Sequence, residues 1–213
     1  MDVLRDALDR WGSAFAKPRQ GAAGEGAFEV RIDADGGVRA TNYQKPRDFE
    51  YAQQEIQDLL SSAPYILQPV QRSAPRFAAV ADARRVVTMR VVTRDSGDGP
   101  RLFSGSVEFA LPMVSEHPLV RHLALDADGV ASRLAVPQWR SSELPPEFPA
   151  ISVGNYEATV KSALIAHGLF PQMFAVAWDI ALTELGPVFL EGNTGFGATV
   201  PQWVSGGILA DLA

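Results

Sequence analysis

Two apolar runs joined by a short turn, at residues 174–193, constrain the fold of this chain more than any other feature. The first run reads FAVAWDIALT and the second reads VFLEGN, and the connecting ELGP predicts a tight β-hairpin. Successive side chains of a strand point to opposite faces of its sheet. The larger apolar residues of the first run therefore share one face: Val176, Trp178, Ile180 and Leu182. Asp179 stands among alanines on the other face.

The second strand of this hairpin carries two further polar residues. Strand alternation predicts that Phe189, Glu191 and Asn193 share a face. The hairpin would then bring Asp179 close to Glu191 and Asn193. Two carboxylates and an amide oxygen on one face repel each other unless a cation lies between them, and such hard ligands suit Mg²⁺. The alternative is an ordinary amphipathic hairpin with acids facing water, but the triplet on a glycine-flanked apolar hairpin favours the metal.

A glycine-rich segment near the N-terminus, AKPRQGAAGEGAF, is a candidate phosphate site. Its backbone can approach a ligand closely at Gly21, Gly24 and Gly26, and their N–H groups can surround an anion. Lys17 and Arg19 come just before the glycines, and lysine is a suitable point charge for a phosphate. The segment is not a Walker loop, because no Gly-Lys-Ser/Thr follows. A flexible hairpin loop explains the segment equally well.

Two further polar residues interrupt predicted strands. Arg90 lies within the β-branched run VVTMRVVT, and a semi-buried arginine requires a carboxylate or phosphate partner. Gln68 lies in YILQPV, where a strand stopping at a proline exposes backbone groups that could bind an adenine edge. The simpler alternatives are a solvent-facing arginine and a plain strand end.

The rest of the chain mixes hairpins with a few helices, which predicts an α+β fold because strands and helices do not alternate one by one. The helices are expected at residues 3–11, 48–61 and 155–170, the last with Gly168 as C-cap, and a final turn within 206–213. His117 and His122 are assigned to a polar loop and His167 to a helix end, without catalytic roles.

Composition narrows the classes of function. The 213 residues include no cysteine, which excludes disulfides and thiolate chemistry and fits a cytoplasmic protein. The formal net charge of −6, without a basic run, argues against nucleic-acid binding. No apolar run is long enough to cross a membrane. A chain of this length can bury a core of one large domain or two small ones.

The order of these motifs resembles the ATP-grasp superfamily, and most closely its sugar-transfer-associated group. Members of that group carry a similar Q-P hinge, a T-x-R-x-V-T strand and a W-D-[IV]-A…GP…EGN ending. Here these are YILQPV, TMRVVT and AWDIAL…GPVFLEGN, and the likeness extends from about Phe15 to Gly197.

The resemblance implies two α+β subdomains that grip ATP, a small lobe at 1–70 with the glycine-rich loop and a large lobe at 71–213 with the metal hairpin. The resemblance also implies a role for each of the candidate site residues. Lys17 and Arg19, with Gly21, Gly24 and Gly26, would contact the phosphates, whereas Gln68 and Val70 in the hinge 66–70 would read adenine. Asp179, Glu191 and Asn193 would hold Mg²⁺, and Arg90 would be catalytic, by stabilising the transferring phosphoryl group or by gripping the substrate acid.

The implied reaction activates a small-molecule carboxylate as an acyl phosphate, which an amine or other nucleophile then attacks. Two other functions stay open: a kinase-like ATP-grasp phosphotransferase, and a non-catalytic nucleotide-binding fragment. The domain that usually precedes the lysine strand in this superfamily is expected to be missing here or to be supplied by a partner chain.

Overall fold

The computed structural model describes residues 2–20, 26–42, 49–110, 120–136, 143 and 150–206. They belong to two compact units, the first ending at Gln71 and the second beginning at Arg72. Each unit has its own antiparallel sheet, helices and apolar core, so the fold is α+β as the sequence predicts.

The first unit is built on a five-stranded sheet with strand order β4-β3-β2-β1-β5. The strands are β1 Ser13–Pro18, β2 Phe28–Ile32, β3 Val38–Asn42, β4 Phe49–Tyr51 and β5 Tyr65–Pro69. The helices are α1 Asp2–Trp11 and α2 Gln53–Ser62. Leu4 and Leu8 of α1 and Ile56 of α2 are buried in one cluster with the even-numbered strand residues Ala14 and Ala16. The odd-numbered side chains of β1 therefore point to the opposite face of this sheet.

The helix predicted at 48–61 begins later than expected, because residues 49–51 form the edge strand β4. Tyr51 pairs with Ala40 of β3, and its ring lies 5.8 Å from that of Phe28. This aromatic contact stabilises the pairing of residues 49–51 with β3. That pairing prevents the helix that local periodicity suggests for the same residues. The backbone N–H of Ala52 donates to Glu55 Oε2 at 2.8 Å, so α2 begins after that residue.

The second unit is built on a seven-stranded sheet with strand order β10-β9-β8-β7-β6-β11-β12. The strands are β6 Thr88–Asp95, β7 Pro100–Ala110, β8 Val120–Leu125, β9 Val130–Leu134, β10 Ile151–Ser152, β11 Ala175–Thr183 and β12 Gly186–Asn193. The helices are α3 Tyr156–Gly168 and α4 Thr199–Ser205, with a 3₁₀ turn at Pro75–Phe77. The predicted hairpin 174–193 is therefore confirmed as β11–β12, closed by a two-residue turn between Thr183 and Gly186.

One face of this sheet is apolar and packs against α3. The four large residues of β11 predicted to share a face are all buried in this core: Val176, Trp178, Ile180 and Leu182. Tyr156, the first residue of α3, lies over two glycines of the sheet. A Cβ at Gly105 would come 2.5 Å from the Tyr156 hydroxyl oxygen, and one at Gly129 would come 2.4 Å from the Tyr156 Cβ. Only glycine leaves room for this tyrosine.

Two local predictions for this unit are wrong. Gly168 is not a C-cap, because α3 includes it and Leu169 caps the helix with right-handed backbone. His122 is not in a loop but on β8, whose sequence VRHLAL does not alternate between polar and apolar residues. The sequence analysis did not predict α4, and the helical turn expected within 206–213 falls almost wholly outside the described residues. In the part of the chain that the structure describes, no helix meets the length and apolarity needed to cross a membrane.

Candidate functional site

The β11–β12 hairpin brings three predicted site residues together. Asp179 pairs directly with Glu191, and Ala177 pairs with Asn193, so all three polar side chains lie on the face opposite the apolar core. Asn193 Nδ2 donates to Asp179 Oδ2 at 3.2 Å and to Glu191 Oε1 at 3.0 Å. The two carboxylates thus converge on a single atom of the amide.

A β-bulge in the hairpin sets this convergence. The register shifts between Asp179 and Ile180, so that Asp179 opposes Glu191 while Ile180 opposes Phe189. Phe189 therefore does not share the face of Glu191 and Asn193, contrary to the prediction from strict alternation. Its ring instead meets the Trp178 ring edge-on, with centroids 5.9 Å apart.

Arg90 lies beside this hairpin on β6, directly across from Asp179. Its guanidinium makes a two-point contact, with Nε donating to Asp179 Oδ1 at 2.7 Å and Nη2 to Asp179 Oδ2 at 2.9 Å. The two side chains are only 29% and 16% exposed. These hydrogen bonds raise the pKa of Arg90 above its ordinary value, although burial opposes the effect, and the charges of Asp179, Glu108 and Glu191 add to it.

The donor atoms of this cluster suit a hard divalent cation. Within the described ranges no three His, Cys, Asp or Glu side chains come close enough to hold a metal, so a cation at this cluster would need the Asn193 amide as its third donor. A half-turn of that amide would present Oδ1 in place of Nδ2 to the same point, where both carboxylates already meet. One guanidinium against two carboxylates leaves the cluster net negative. Two carboxylates and an amide oxygen are ligands typical of Mg²⁺.

Trp178 holds the backbone of β12 from the apolar side, a contact that the sequence analysis did not find. It lies beneath Gly192, the residue between Glu191 and Asn193. A Cβ at Gly192 would come 2.7 Å from Trp178 Cζ3, so no larger residue fits there without displacing the ring. In the sequence EGN, Gly192 thus lets the strand lie close to the indole, and the polar residues Glu191 and Asn193 flank it on either side.

A buried hydrogen-bond network fixes the Trp178 ring. Its Nε1 donates to Thr93 Oγ1 at 3.0 Å, and the same oxygen lies 2.8 Å from His167 Nδ1. His167 Nε2 lies 2.8 Å from the Met173 carbonyl oxygen, which can only accept, so Nε2 carries the proton. The Thr93 hydroxyl also lies 3.3 Å from the Val176 carbonyl oxygen, to which it donates. His167 is a fully buried structural residue at the end of α3, in agreement with its predicted place.

A second polar pair, also missed by the sequence analysis, lies on the same sheet. Glu108 of β7 pairs with His122 of β8, and His122 Nδ1 lies 3.4 Å from Glu108 Oε2. Burial lowers the pKa of His122, as does the positive charge of Arg90, whereas Glu108 acts in the opposite direction. Residues 120–125 read VRHLAL, so no polar–apolar alternation in the sequence places His122 on a strand.

The remaining candidate residues lie in the first unit. Lys17 and Gln68 are both on the face of the sheet opposite its core, because Phe15 pairs with Gln68 and Lys17 with Ile66. The Arg19 side chain is exposed, and the Arg19 backbone N–H donates to the Pro64 carbonyl at 2.8 Å.

Of the glycines proposed to bind phosphate, only one is described. Gly26 has φ of +73°, a conformation that favours glycine, and its carbonyl accepts from the Tyr65 hydroxyl at 3.4 Å. Gly21 and Gly24 lie outside the described residues. Val70 follows the last residue of β5 and is half-buried.

The chain has the ATP-grasp fold, as the resemblance implied, because it matches a solved structure with this fold over nearly its whole length. That structure is D-alanyl-alanine synthetase A from Vibrio cholerae O1 biovar eltor str. N16961, with a TM-score of 0.53 and 11% identity. The match covers 95% of this chain and 50% of the other, so this chain spans about half the length of that protein. No family model and no curated protein matches the sequence.

Proposed function

We propose that this protein is an ATP-dependent carboxylate ligase, which activates a small-molecule acid as an acyl phosphate and transfers it to an amine. The observation that supports this proposal best is the convergence of Asp179, Glu191 and Asn193 beside Arg90 on one face of an ATP-grasp sheet. The fold similarity supports the class of reaction, since the similar structure carries the name of a synthetase that joins alanine units.

In this proposal Asp179, Glu191 and the Asn193 amide oxygen hold Mg²⁺. Such an ion would supply positive charge to neutralise the phosphates of ATP. Two hydrogen bonds from the Arg90 guanidinium to Asp179 fix the positions of the two side chains relative to each other. Arg90 thereby presents a fixed positive charge next to the metal ligands, where it stabilises negative charge on a transferring phosphoryl group or binds the substrate carboxylate.

The first unit is proposed to bind the nucleotide. Lys17, Arg19 and the glycines at 21, 24 and 26 would contact the phosphates, and the positive charge of Lys17 and Arg19 supports this role. Gln68 and Val70, at the end of β5, would read the adenine edge. The shared face of Lys17 and Gln68 supports one ligand spanning both residues.

An acyl-phosphate trap tests this function. The protein is incubated with Mg-ATP, hydroxylamine and a mixture of D-alanine and the twenty protein amino acids, and ADP and hydroxamate are measured together. A carboxylate oxygen that attacks the γ-phosphorus releases ADP, and hydroxylamine then displaces phosphate, so equal amounts of ADP and hydroxamate are expected. The proposal further predicts that Asp179→Asn loses both products, whereas the exposed Asp98→Asn retains them.

Other outcomes would favour the remaining classes of protein. ADP formed without hydroxamate and without free phosphate would indicate a kinase-like phosphotransferase. ATP binding without any ADP or hydroxamate would contradict the ligase and indicate a nucleotide-binding fragment.

A further inference from the structure

The Asp179 carboxylate already has a cationic group bound to it, the guanidinium of Arg90. Arg90 Nε lies 2.7 Å from Oδ1 and Nη2 lies 2.9 Å from Oδ2, so both carboxylate oxygens accept from the same side chain. Oδ2 accepts a second hydrogen bond, from Asn193 Nδ2 at 3.2 Å. The carboxylate that the proposed function assigns to the metal is therefore engaged by two donor side chains of its own protein.

The strand β6 keeps Arg90 at this position. Met89 and Val91, its two neighbours in sequence, are fully buried in the apolar core and hold the backbone there. Asp179 is the register partner of Arg90 on β11. The guanidinium can turn on its flexible side chain, but its point of attachment does not move, so Arg90 is a tethered cation beside the metal ligands.

A metal ion bound to Asp179 would be close to this positive charge. A Mg–O distance is about 2.1 Å, and Nη2 lies 2.9 Å from Oδ2. Any ion that takes Oδ2 as a ligand would thus lie within about 5 Å of Nη2. The two positive charges repel each other, and salt screens this repulsion less in a half-buried site than in open solvent.

The charges of the cluster also favour the cation less while Arg90 is in place. One guanidinium and the carboxylates of Asp179 and Glu191 leave a single net negative charge for a divalent ion. An anionic ligand changes this balance, because phosphate and carboxylate groups match the planar fork of an arginine. Such a ligand can take over the hydrogen bonds that Arg90 now makes to Asp179.

We propose that Arg90 competes with the divalent cation for Asp179, and so keeps the affinity of the β11–β12 hairpin for free metal low until an anionic ligand binds the guanidinium. This inference rests on the proposed function, because it concerns the metal site of the same ligase. It adds a form of regulation to that site: the cation and the anionic ligand bind together, whereas the cation alone binds weakly.

The test is the binding of Mn²⁺ to the whole chain without nucleotide, followed by the loss of the electron paramagnetic resonance signal of the free ion. Mn²⁺ takes the same oxygen ligands as Mg²⁺. Arg90→Gln removes the competing charge, and it should bind Mn²⁺ at least about tenfold more tightly than the wild type. Adding Asp179→Asn to Arg90→Gln should abolish this gain, because the carboxylate is then lost as a ligand.

Two variants separate the local charge of Arg90 from other effects. Arg101→Gln removes the same charge from an exposed ion pair with Asp98, and it should bind Mn²⁺ as the wild type does. Arg90→Lys keeps the charge at the site but not the planar two-point contact. Its Mn²⁺ affinity should stay within about threefold of the wild type, since the repulsion depends on the charge.

A second measurement uses the wild-type protein and does not depend on the folding of Arg90→Gln. The NMR signal of the Arg90 Nε–H group is identified by its loss in Arg90→Lys. Mg²⁺ alone should leave this signal unchanged, because the guanidinium stays on Asp179. Mg-ATP should shift it, because the hydrogen bonds to Asp179 are exchanged for bonds to the ligand.

The competition would be overturned by equal Mn²⁺ affinities of Arg90→Gln and the wild type, by a gain that persists when Asp179→Asn is added, or by an Arg90 signal that moves with Mg²⁺ alone. Any of these in a protein that binds Mg-ATP would leave the ligase proposal intact. A wild type that does not bind Mg-ATP would refute the ligase proposal, whereas tighter Mn²⁺ binding by Arg90→Gln would still support the competition at Asp179.

Discussion

At the scale of single residues, the β11–β12 hairpin shows what alternation can and cannot predict. Asp179, Glu191 and Asn193 converge as predicted, but they do so only because the register shifts between Asp179 and Ile180. The bulge that turns Phe189 to the other face was not predictable, since a bulge leaves no periodic signal. Arg90 could be predicted to need an acidic partner, but not that the partner is Asp179, which lies 89 residues away in sequence.

Gly192 provides a test of this packing. We expect Gly192→Ala to lower the free energy of unfolding by about 1–3 kcal/mol, the usual cost of overpacking a core. The new methyl group would press on the Trp178 ring, which cannot move freely because Thr93 and Phe189 hold it. The measurement is chemical denaturation of both proteins.

Gly195→Ala is the matched control, because nothing lies within 4 Å of a Cβ at that position. It should change stability by less than about 0.5 kcal/mol. If Gly192→Ala were as stable as this control, the indole would not constrain the spacing of Glu191 and Asn193.

At the scale of elements, local signals predicted the hairpins better than the helix ends. The turn DADGG, a sequence typical of hairpin loops, joins β2 and β3, with Gly36 at φ of +80°. The same DADG sequence recurs at 126–129 and joins β8 and β9, where Asp126 accepts from the backbone N–H groups of Asp128 and Val130. The strand β8 before this turn was missed, and the start of α2 was misplaced, because β8 and β4 are fixed by pairing with a neighbouring strand and not by a local sequence pattern.

The packing of Tyr156, at the start of α3, against the sheet predicts how the stability of the protein changes at high pH. Burial raises the pKa of Tyr156 above its ordinary value of 10.0, and the charge of Asp126 adds to the effect. The folded state therefore favours the neutral phenol. This contribution to stability is fully present below pH 10 and is lost as the pH rises through the pKa of the folded state.

We expect the wild-type protein to lose stability above pH 10 more steeply than Tyr156→Phe. The measurement is the free energy of unfolding at pH 8, 10 and 11 for both proteins, and the difference between them should change only above pH 10. Other groups that ionise in this range are common to both proteins and cancel. A constant difference across the series would mean that Tyr156 ionises as freely in the folded chain as in the unfolded chain.

At the scale of the whole molecule, the fold was predictable from the order of the motifs and the site only in part. Each unit forms its own sheet and core from local hairpins, and the ATP-grasp class follows from that order. The assignment to the sugar-transfer-associated group stays a prediction. The Glu108–His122 pair could not be predicted, because it depends on the pairing of β7 with β8 rather than on any motif.

The central claim is that the β11–β12 hairpin is a magnesium-nucleotide site, and calorimetric titration with ATP, with and without Mg²⁺, tests it most directly. We predict that Mg²⁺ strengthens binding to the wild type and to Asp98→Asn. In Asp179→Asn, which keeps the size of the side chain but removes its charge, the Mg²⁺-dependent gain should fall by about tenfold or more. ATP binding that is equally strong without Mg²⁺, or equally Mg²⁺-dependent in Asp179→Asn, would contradict the account.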